Sequence, residues 1–144
     1  MVDRDIVFAK INSIQRCLKR IRDKTGLNPD SLDNLDTEEI FILNLQRAIQ
    51  ASIDLASHIV ADEGLGLPQE LRDNFDLLKK NNILSEKLTD RLRKMVGFRN
   101  IAIHEYETMD IDILKSILTN NLKDIEEFYT TIIRKYNLTQ EKDH

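Results

Sequence analysis

Residues 4–25, RDIVFAKINSIQRCLKRIRDKT, decide the fold class, because their apolar side chains recur at intervals of three and four. The recurring residues are Val7, Ile11, Ile14, Cys17, Leu18 and Ile21. This period is typical of a helix that buries one face. Gly26 and Pro29 follow the stretch and are expected to end the helix.

The same period recurs in four further segments of the chain. A long helix is predicted to begin with a cap at Asp36 and to end at Gly64. A short helix is predicted to start at Pro68, a fourth is capped by Ser85, and the last is capped by Asp110. The fourth segment carries the apolar residues Leu88, Leu92, Met95, Val96, Ile101 and Ile103.

Composition supports a helical class. The chain has 144 residues, the size of one ordinary domain, with only four glycines and two prolines. So few turn-forming residues disfavour a β-sandwich or β-barrel. We therefore predict an all-α protein, an antiparallel four-helix bundle with one additional short helix. A single domain is expected over residues 1–144, with a flexible tail at about residues 138–144.

Charge is segregated along the sequence, although the net charge is only -4. Residues 1–24 carry seven basic and three acidic side chains, whereas residues 25–76 carry two and eleven. Residues 77–99 form a basic block with seven basic and two acidic side chains. Such a block suits a nucleic-acid partner, although a solvated helix face explains the charge equally simply.

The sequence contains no evident signal for export, membrane insertion or metal binding. No apolar run exceeds four residues, and the single cysteine, Cys17, cannot close an intrachain disulfide. His58 has metal-ligand spacing to Asp54 or Asp62, but a third ligand at a fixed distance is lacking. We predict a cytoplasmic protein with no membrane segment, no metal and no cofactor.

The densest polar cluster of the sequence is RNIAIHEY, residues 99–106. It contains a guanidinium at Arg99, a carboxamide at Asn100, an imidazole at His104 and a phenol at Tyr106. On an ideal helix Asn100 and His104 share a face, whereas Arg99 lies about 140° from His104. Arg99 and His104 would therefore converge only through the long side chain of Arg99, a break in the helix, or a second copy of the chain. Taken singly, each residue also has an ordinary structural explanation.

This pattern resembles the R-x4-H-x-Y motif of the HEPN superfamily. The similarity is to its HepT-like branch of toxin ribonucleases, which are paired with MNT-type nucleotidyltransferase antitoxins. The resemblance extends over nearly the whole chain and rests on Arg99, Asn100, His104, Tyr106, the preceding residues 95–98 and the stretch 53–59. It implies a metal-independent endoribonuclease whose site lies at a homodimer interface.

The resemblance also implies roles for individual residues. Arg99 and His104 are expected to be catalytic, because a guanidinium holds phosphate oxygens and an imidazole exchanges protons near neutral pH. Asn100 is expected to support them by orienting His104 or by contacting the phosphate. Tyr106 is expected to accept AMP from the nucleotidyltransferase partner, and the added phosphate would then block the site.

Partner predictions follow from the basic block and the resemblance together. Within the block we predict Lys94, Arg93 and Arg91 to contact an RNA substrate. The other expected partners are the MNT-type antitoxin and a second copy of the chain, with no membrane. Two alternatives remain from the sequence: a non-catalytic helical dimer that binds RNA or a nucleotidyltransferase, and a helical dimerisation domain without a nucleotide partner.

Overall fold

The computed structural model describes residues 2–105 and 109–138, except for the side chains of His104 and Glu105. These ranges contain no β-strand. A 3₁₀ turn, Pro29–Asp33, accompanies six α-helices: α1 Arg4–Thr25, α2 Leu35–Glu63, α3 Asp73–Lys80, α4 Glu86–Glu105, α5 Ile111–Asn120 and α6 Leu122–Lys135. The predicted all-α class is confirmed.

Helix α2 lies at the centre of the bundle and packs against α1, α3, α4 and α6. Helix α4 packs against α2, α3 and α6, whereas α5 packs against the 3₁₀ turn and α6. Helices α1, α2, α4 and α6 make up the predicted four-helix bundle, and α3 is the additional short helix. None of the helices in the described part of the chain combines the length and the apolar content that crossing a bilayer requires.

The buried core contains every residue of the stripe predicted on α1. Phe75 and Phe128 are also buried, and their rings pack edge to face with centroids 5.4 Å apart. Cys17 is only 6% exposed, and its burial raises the pKa of the thiol. The thiol is therefore a core group and a poor nucleophile, as expected from its place on the apolar stripe.

Three predicted helix ends are confirmed by their backbone or capping contacts. The hydroxyl of Ser85 accepts a hydrogen bond from the N–H of Leu88 at 3.1 Å at the start of α4. Asp110 accepts the N–H of Asp112 at 2.8 Å at the start of α5. Gly64 ends α2 with a φ of 61°, a left-handed conformation that favours glycine.

Other boundaries differ from the prediction. Asn34, not Asp36, caps α2, since the Asn34 amide oxygen accepts the N–H of Thr37 at 3.1 Å. Helix α3 begins at Asp73 and not at Pro68. The Asp73 carboxylate accepts the backbone N–H groups of the two residues after Pro68, which holds this turn outside the helix.

The last predicted helix is divided into α5 and α6 at Asn121. The Asn121 side-chain amide donates a hydrogen bond to Asp124 at 3.2 Å. The division lets α5 lie against the 3₁₀ turn while α6 packs in the main bundle.

Candidate active site on helix α4

Helix α4 carries the segment from Arg99 to His104 without a break and ends at Glu105. Because each residue turns an α-helix by about 100°, positions 100 and 104 share a face and position 99 lies about 140° from position 104. The helix break that would have joined Arg99 to His104 is therefore excluded. Convergence requires either the long Arg99 side chain or a second copy of the chain.

Two of the predicted site residues lie outside what the structure describes. Only the backbone of His104 is described, and Tyr106 lies between the two described ranges. The proton-transfer role of His104 and the AMP-acceptor role of Tyr106 therefore stay predictions. Arg99 and Asn100 are described in full.

Arg99 is half-buried, and one of its guanidinium nitrogens donates a hydrogen bond to the side-chain oxygen of Asn100 at 3.3 Å. Across the described residues, no carboxylate forms an ion pair with Arg99. The positive charge is therefore not neutralised by a described acidic group, and the planar guanidinium still has donors for phosphate oxygens. Asn100 is exposed, and its side-chain oxygen accepts this hydrogen bond.

The three predicted RNA contacts have different surroundings. Arg93 forms a close ion pair with Asp76 of α3. Arg91 lies 3.5 Å from a carboxylate oxygen of Asp124 on α6, a residue only 1% exposed. Both arginines therefore tie α4 to neighbouring helices. Lys94 is exposed, and within the described residues no carboxylate pairs with it.

A groove of about 600 Å³ lies beside the Arg99 segment, between α4 and the start of α5. Its lining residues are Lys94, Gly97, Phe98, Ile101, Met109, Asp110 and Ile113. Ile101 and Ile113 are each 52% exposed. Since position 104 lies three residues beyond Ile101, the groove leads towards the backbone of His104 along one helix face.

The apolar stripe of α4 is buried only in part. Leu88, Leu92, Met95 and Val96 are buried, whereas Ile101 and Ile103 are 52% and 50% exposed. A periodic apolar pattern does not distinguish a core face from an outward face that a partner covers. The last two turns of α4 therefore present apolar side chains beside the catalytic candidates.

Within the described part of the chain, no neighbour of Gly97 would exclude a side chain at this position. A Cβ atom placed there meets no atom within 4 Å among those compared outside its local helix backbone. Glycine inside a helix costs about 1 kcal/mol relative to alanine. Because glycine has no side chain, a second backbone or a ligand can approach α4 closely at Gly97.

His58, the alternative metal candidate, lies beside a carboxylate in a local pair. Its Nε2 atom is 3.0 Å from Asp62 Oδ2, without the alignment of a hydrogen bond. Asp62 also accepts the N–H of Asp3, and Asp54 pairs with Lys10 at 3.7 Å. Within residues 2–103 and 109–138, no three side chains of His, Cys, Asp or Glu come together in a way that could hold a metal ion.

The all-helical fold and the spacing of Arg99 and His104 on one helix agree with the resemblance to HEPN proteins. A family model described as Ribonuclease HepT-like matches residues 14–132. The chain belongs to the HepT-like ribonuclease family.

Individual relatives agree with this assignment. An mRNA nuclease HepT of Shewanella oneidensis is 42% identical over 128 residues, which cover 89% of this chain and 96% of that protein. A tRNA nuclease HepT of Aphanizomenon flos-aquae is 25% identical over 140 residues, or 96% of this chain and 95% of that protein. A solved structure of the tri-AMPylated Shewanella oneidensis HEPN toxin in complex with MNT antitoxin is 41% identical, with a TM-score of 0.84, and the match covers 90% of this chain and 98% of that chain.

Proposed function

We propose that the protein is an endoribonuclease toxin of a toxin–antitoxin pair, that it needs no metal, and that Arg99 and His104 are its catalytic residues. The observation that carries the proposal is the intact Arg99-Asn100-x3-His104 pattern on an unbroken helix. Among the described residues, no carboxylate pairs with the Arg99 guanidinium. The chain is also 42% identical to an mRNA nuclease. Residues 1–144 are assigned to one domain, and the protein to the cytoplasm.

The proposed reaction uses the ribose itself as the nucleophile. A base removes the proton of the 2′-hydroxyl, the 2′-oxygen attacks the adjacent phosphorus, and an acid protonates the departing 5′-oxygen. His104 serves in one of these proton transfers. Arg99 holds the non-bridging oxygens and stabilises the negative charge that develops on them, while Asn100 keeps the guanidinium in place.

The two proton transfers favour a homodimer. One chain offers one histidine in the motif, and Arg99 lies about 140° from that histidine around α4. A second copy seated on the groove of Ile101 and Ile113 would bring a second Arg99 and His104 to the same cleft. The open position at Gly97 suits such a close approach.

We expect Ile101→Glu to weaken dimerisation by about tenfold or more, because a charge placed in a buried apolar contact loses its hydration. Sedimentation of the wild type should give twice the 16.8 kDa mass of the chain. Leu67→Glu is the matched control, since Leu67 is 93% exposed on a loop and should leave both mass and cleavage unchanged. A 16.8 kDa species of the wild type that still cleaves RNA would contradict the dimer.

RNA cleavage in excess EDTA is the direct test of the proposed reaction. We expect full activity under chelation and a product that ends in a 2′,3′-cyclic phosphate or in the derived 3′-phosphate, measured by mass spectrometry. A substrate with 2′-deoxyribose at the cleaved position should resist, because it lacks the nucleophile. Loss of activity on chelation, restored by a divalent ion, would contradict the mechanism, and RNA that is bound but never cleaved would favour the non-catalytic alternative.

The proposed regulatory partner is an MNT-type nucleotidyltransferase that attaches AMP to Tyr106. This assignment is supported by the motif tyrosine in the sequence and by the AMPylated relative in complex with MNT antitoxin. An adenylate beside Arg99 would add negative charge and bulk where the RNA phosphate must bind. RNA is the proposed substrate, with Lys94 as an exposed contact and Arg91 and Arg93 as further candidates that are engaged in ion pairs.

A further inference from the structure

A second group of cations lies on the α1–α2 pair of helices, apart from the residues of the α4 site. Arg16 and Arg20 from α1 and Arg47 from α2 surround a cavity of about 370 Å³, together with Ser13 and Cys17. All three arginines are exposed, whereas Cys17 is buried at 6% exposure. The cavity is therefore open to solvent and bordered by guanidinium groups.

The fold assembles this cluster from segments of opposite charge. Ser13, Arg16 and Arg20 are spaced by three and four residues, so they share one face of α1. Arg47 belongs to the acidic segment 25–76, and the packing of α2 against α1 brings it to the same cavity. The charge pattern along the sequence therefore does not reveal the site.

Three other cations of α1 each have an acidic partner, whereas Arg16, Arg20 and Arg47 have none among the described residues. The paired cations and their partners are Lys10 with Asp54, Lys19 with Asp23, and Arg22 with Glu126. In the part of the chain that the structure describes, no carboxylate lies within ion-pair distance of Arg16, Arg20 or Arg47. Three like charges at one cavity repel each other, and a bound anion would relieve that repulsion.

The charges of all three arginines act on the same side chain, Cys17. Burial raises the pKa of the Cys17 thiol, and the charges of Arg20, Arg47 and Arg16 oppose that rise. A guanidinium group donates parallel hydrogen bonds that match the oxygens of a phosphate. Among the described residues, no aromatic side chain lines the cavity, so they offer no surface on which a nucleobase could stack. These features fit a phosphate group and not a base.

We propose that Arg16, Arg20 and Arg47 form a phosphate-binding site for the backbone of RNA, separate from the cleavage site on α4. The choice of RNA rests on the proposed function. Phosphate contacts of this kind hold and orient a strand without reading its sequence. The site would therefore raise the affinity for long substrates and leave the chemical step unchanged.

The test is RNA binding by the triple variant Arg16→Gln, Arg20→Gln, Arg47→Gln in a His104→Ala background, which prevents cleavage. Fluorescence anisotropy with a single-stranded RNA of about 16 nucleotides should show a loss of affinity of about ten- to a hundredfold near 0.1 M salt. The slope of log K against log salt should fall in magnitude by about 2, since each lost phosphate contact removes about 0.7.

The matched control removes the same charge from α6, through Lys123→Gln, Arg134→Gln and Lys135→Gln, which are exposed. It should keep nearly the parental affinity and slope. Glutamine and arginine have similar helix propensities, so circular dichroism should match for all variants.

Several results would overturn the inference. Equal affinity and slope for the cluster variant and its parent would do so, as would a parent that binds no RNA. Loss of binding to inorganic phosphate or AMP alone, with RNA affinity unchanged, would assign the cavity to a free phosphate ester instead. Cleavage is measured separately with His104 intact, where the cluster variant should raise KM and keep kcat. A wild type that cleaves no RNA contradicts the proposed function, whereas the binding difference tests only the cluster.

Discussion

Alanine at Arg99 or at His104 is expected to lower RNA cleavage by about 10² to 10⁴-fold and to leave the helical circular dichroism unchanged. His104→Ala removes a proton-transfer group, and Arg99→Ala removes the charge that stabilises the phosphorane-like transition state. Arg99 does not fill the core, since it is half-buried near the C-terminal end of α4. Single-turnover cleavage at saturating protein measures the chemical step directly.

Two control variants make this result specific. His58→Ala removes the other well-placed histidine, whose neighbour is Asp62, and should keep cleavage near the wild-type rate. Arg99→Lys keeps the charge but loses the paired donors of a guanidinium, so its rate should fall between those of wild type and Arg99→Ala. Wild-type cleavage by His104→Ala would rule out His104 as a catalytic residue. Loss of cleavage in His58→Ala alone would favour a metal site at His58 instead.

Local signals of the sequence predicted most of the fold. The stripe on α1 and the caps at Ser85 and Asp110 depend on residues close in sequence, and all are confirmed. The start of α3 was misplaced because Pro68 suits a first helical turn, whereas the Asp73 carboxylate captures that turn. The break at Asn121 falls within a continuous apolar period, which does not mark where one helix ends and the next begins.

The candidate site was predictable only where its residues form a continuous motif. Arg99 and Asn100 could be found from their spacing to His104. The ion pair of Arg91 with Asp124 joins helices that are distant in sequence, so local spacing did not predict it. The exposure of Ile101 was not predictable either, because an apolar period is the same on a core face and on an exposed face.

Tyr106→Phe is expected to abolish silencing of the ribonuclease by its nucleotidyltransferase partner. In the proposed reaction the Tyr106 oxygen attacks the α-phosphate of ATP, forms a phosphodiester bond to AMP, and releases pyrophosphate while the phenolic proton is lost to a base. Incubation with an MNT-type nucleotidyltransferase, ATP and Mg²⁺ should add one or more AMP masses to the wild-type peptide that contains Tyr106. Cleavage by the modified protein should fall by about tenfold or more, because the adenylate places negative charge where the substrate phosphate binds.

The chain contains three tyrosines, which supplies an internal control. Burial and the neighbouring Glu63 carboxylate raise the pKa of Tyr136 to about 12. A buried phenol that ionises so reluctantly is a poor nucleophile, so Tyr136→Phe should be labelled as fully as the wild type. Tyr106→Phe should stay unlabelled and keep cleaving RNA in the presence of partner and ATP, because a phenol is not needed for the proposed proton transfers. Full labelling of Tyr106→Phe, or full cleavage by labelled wild-type protein, would refute this mode of control.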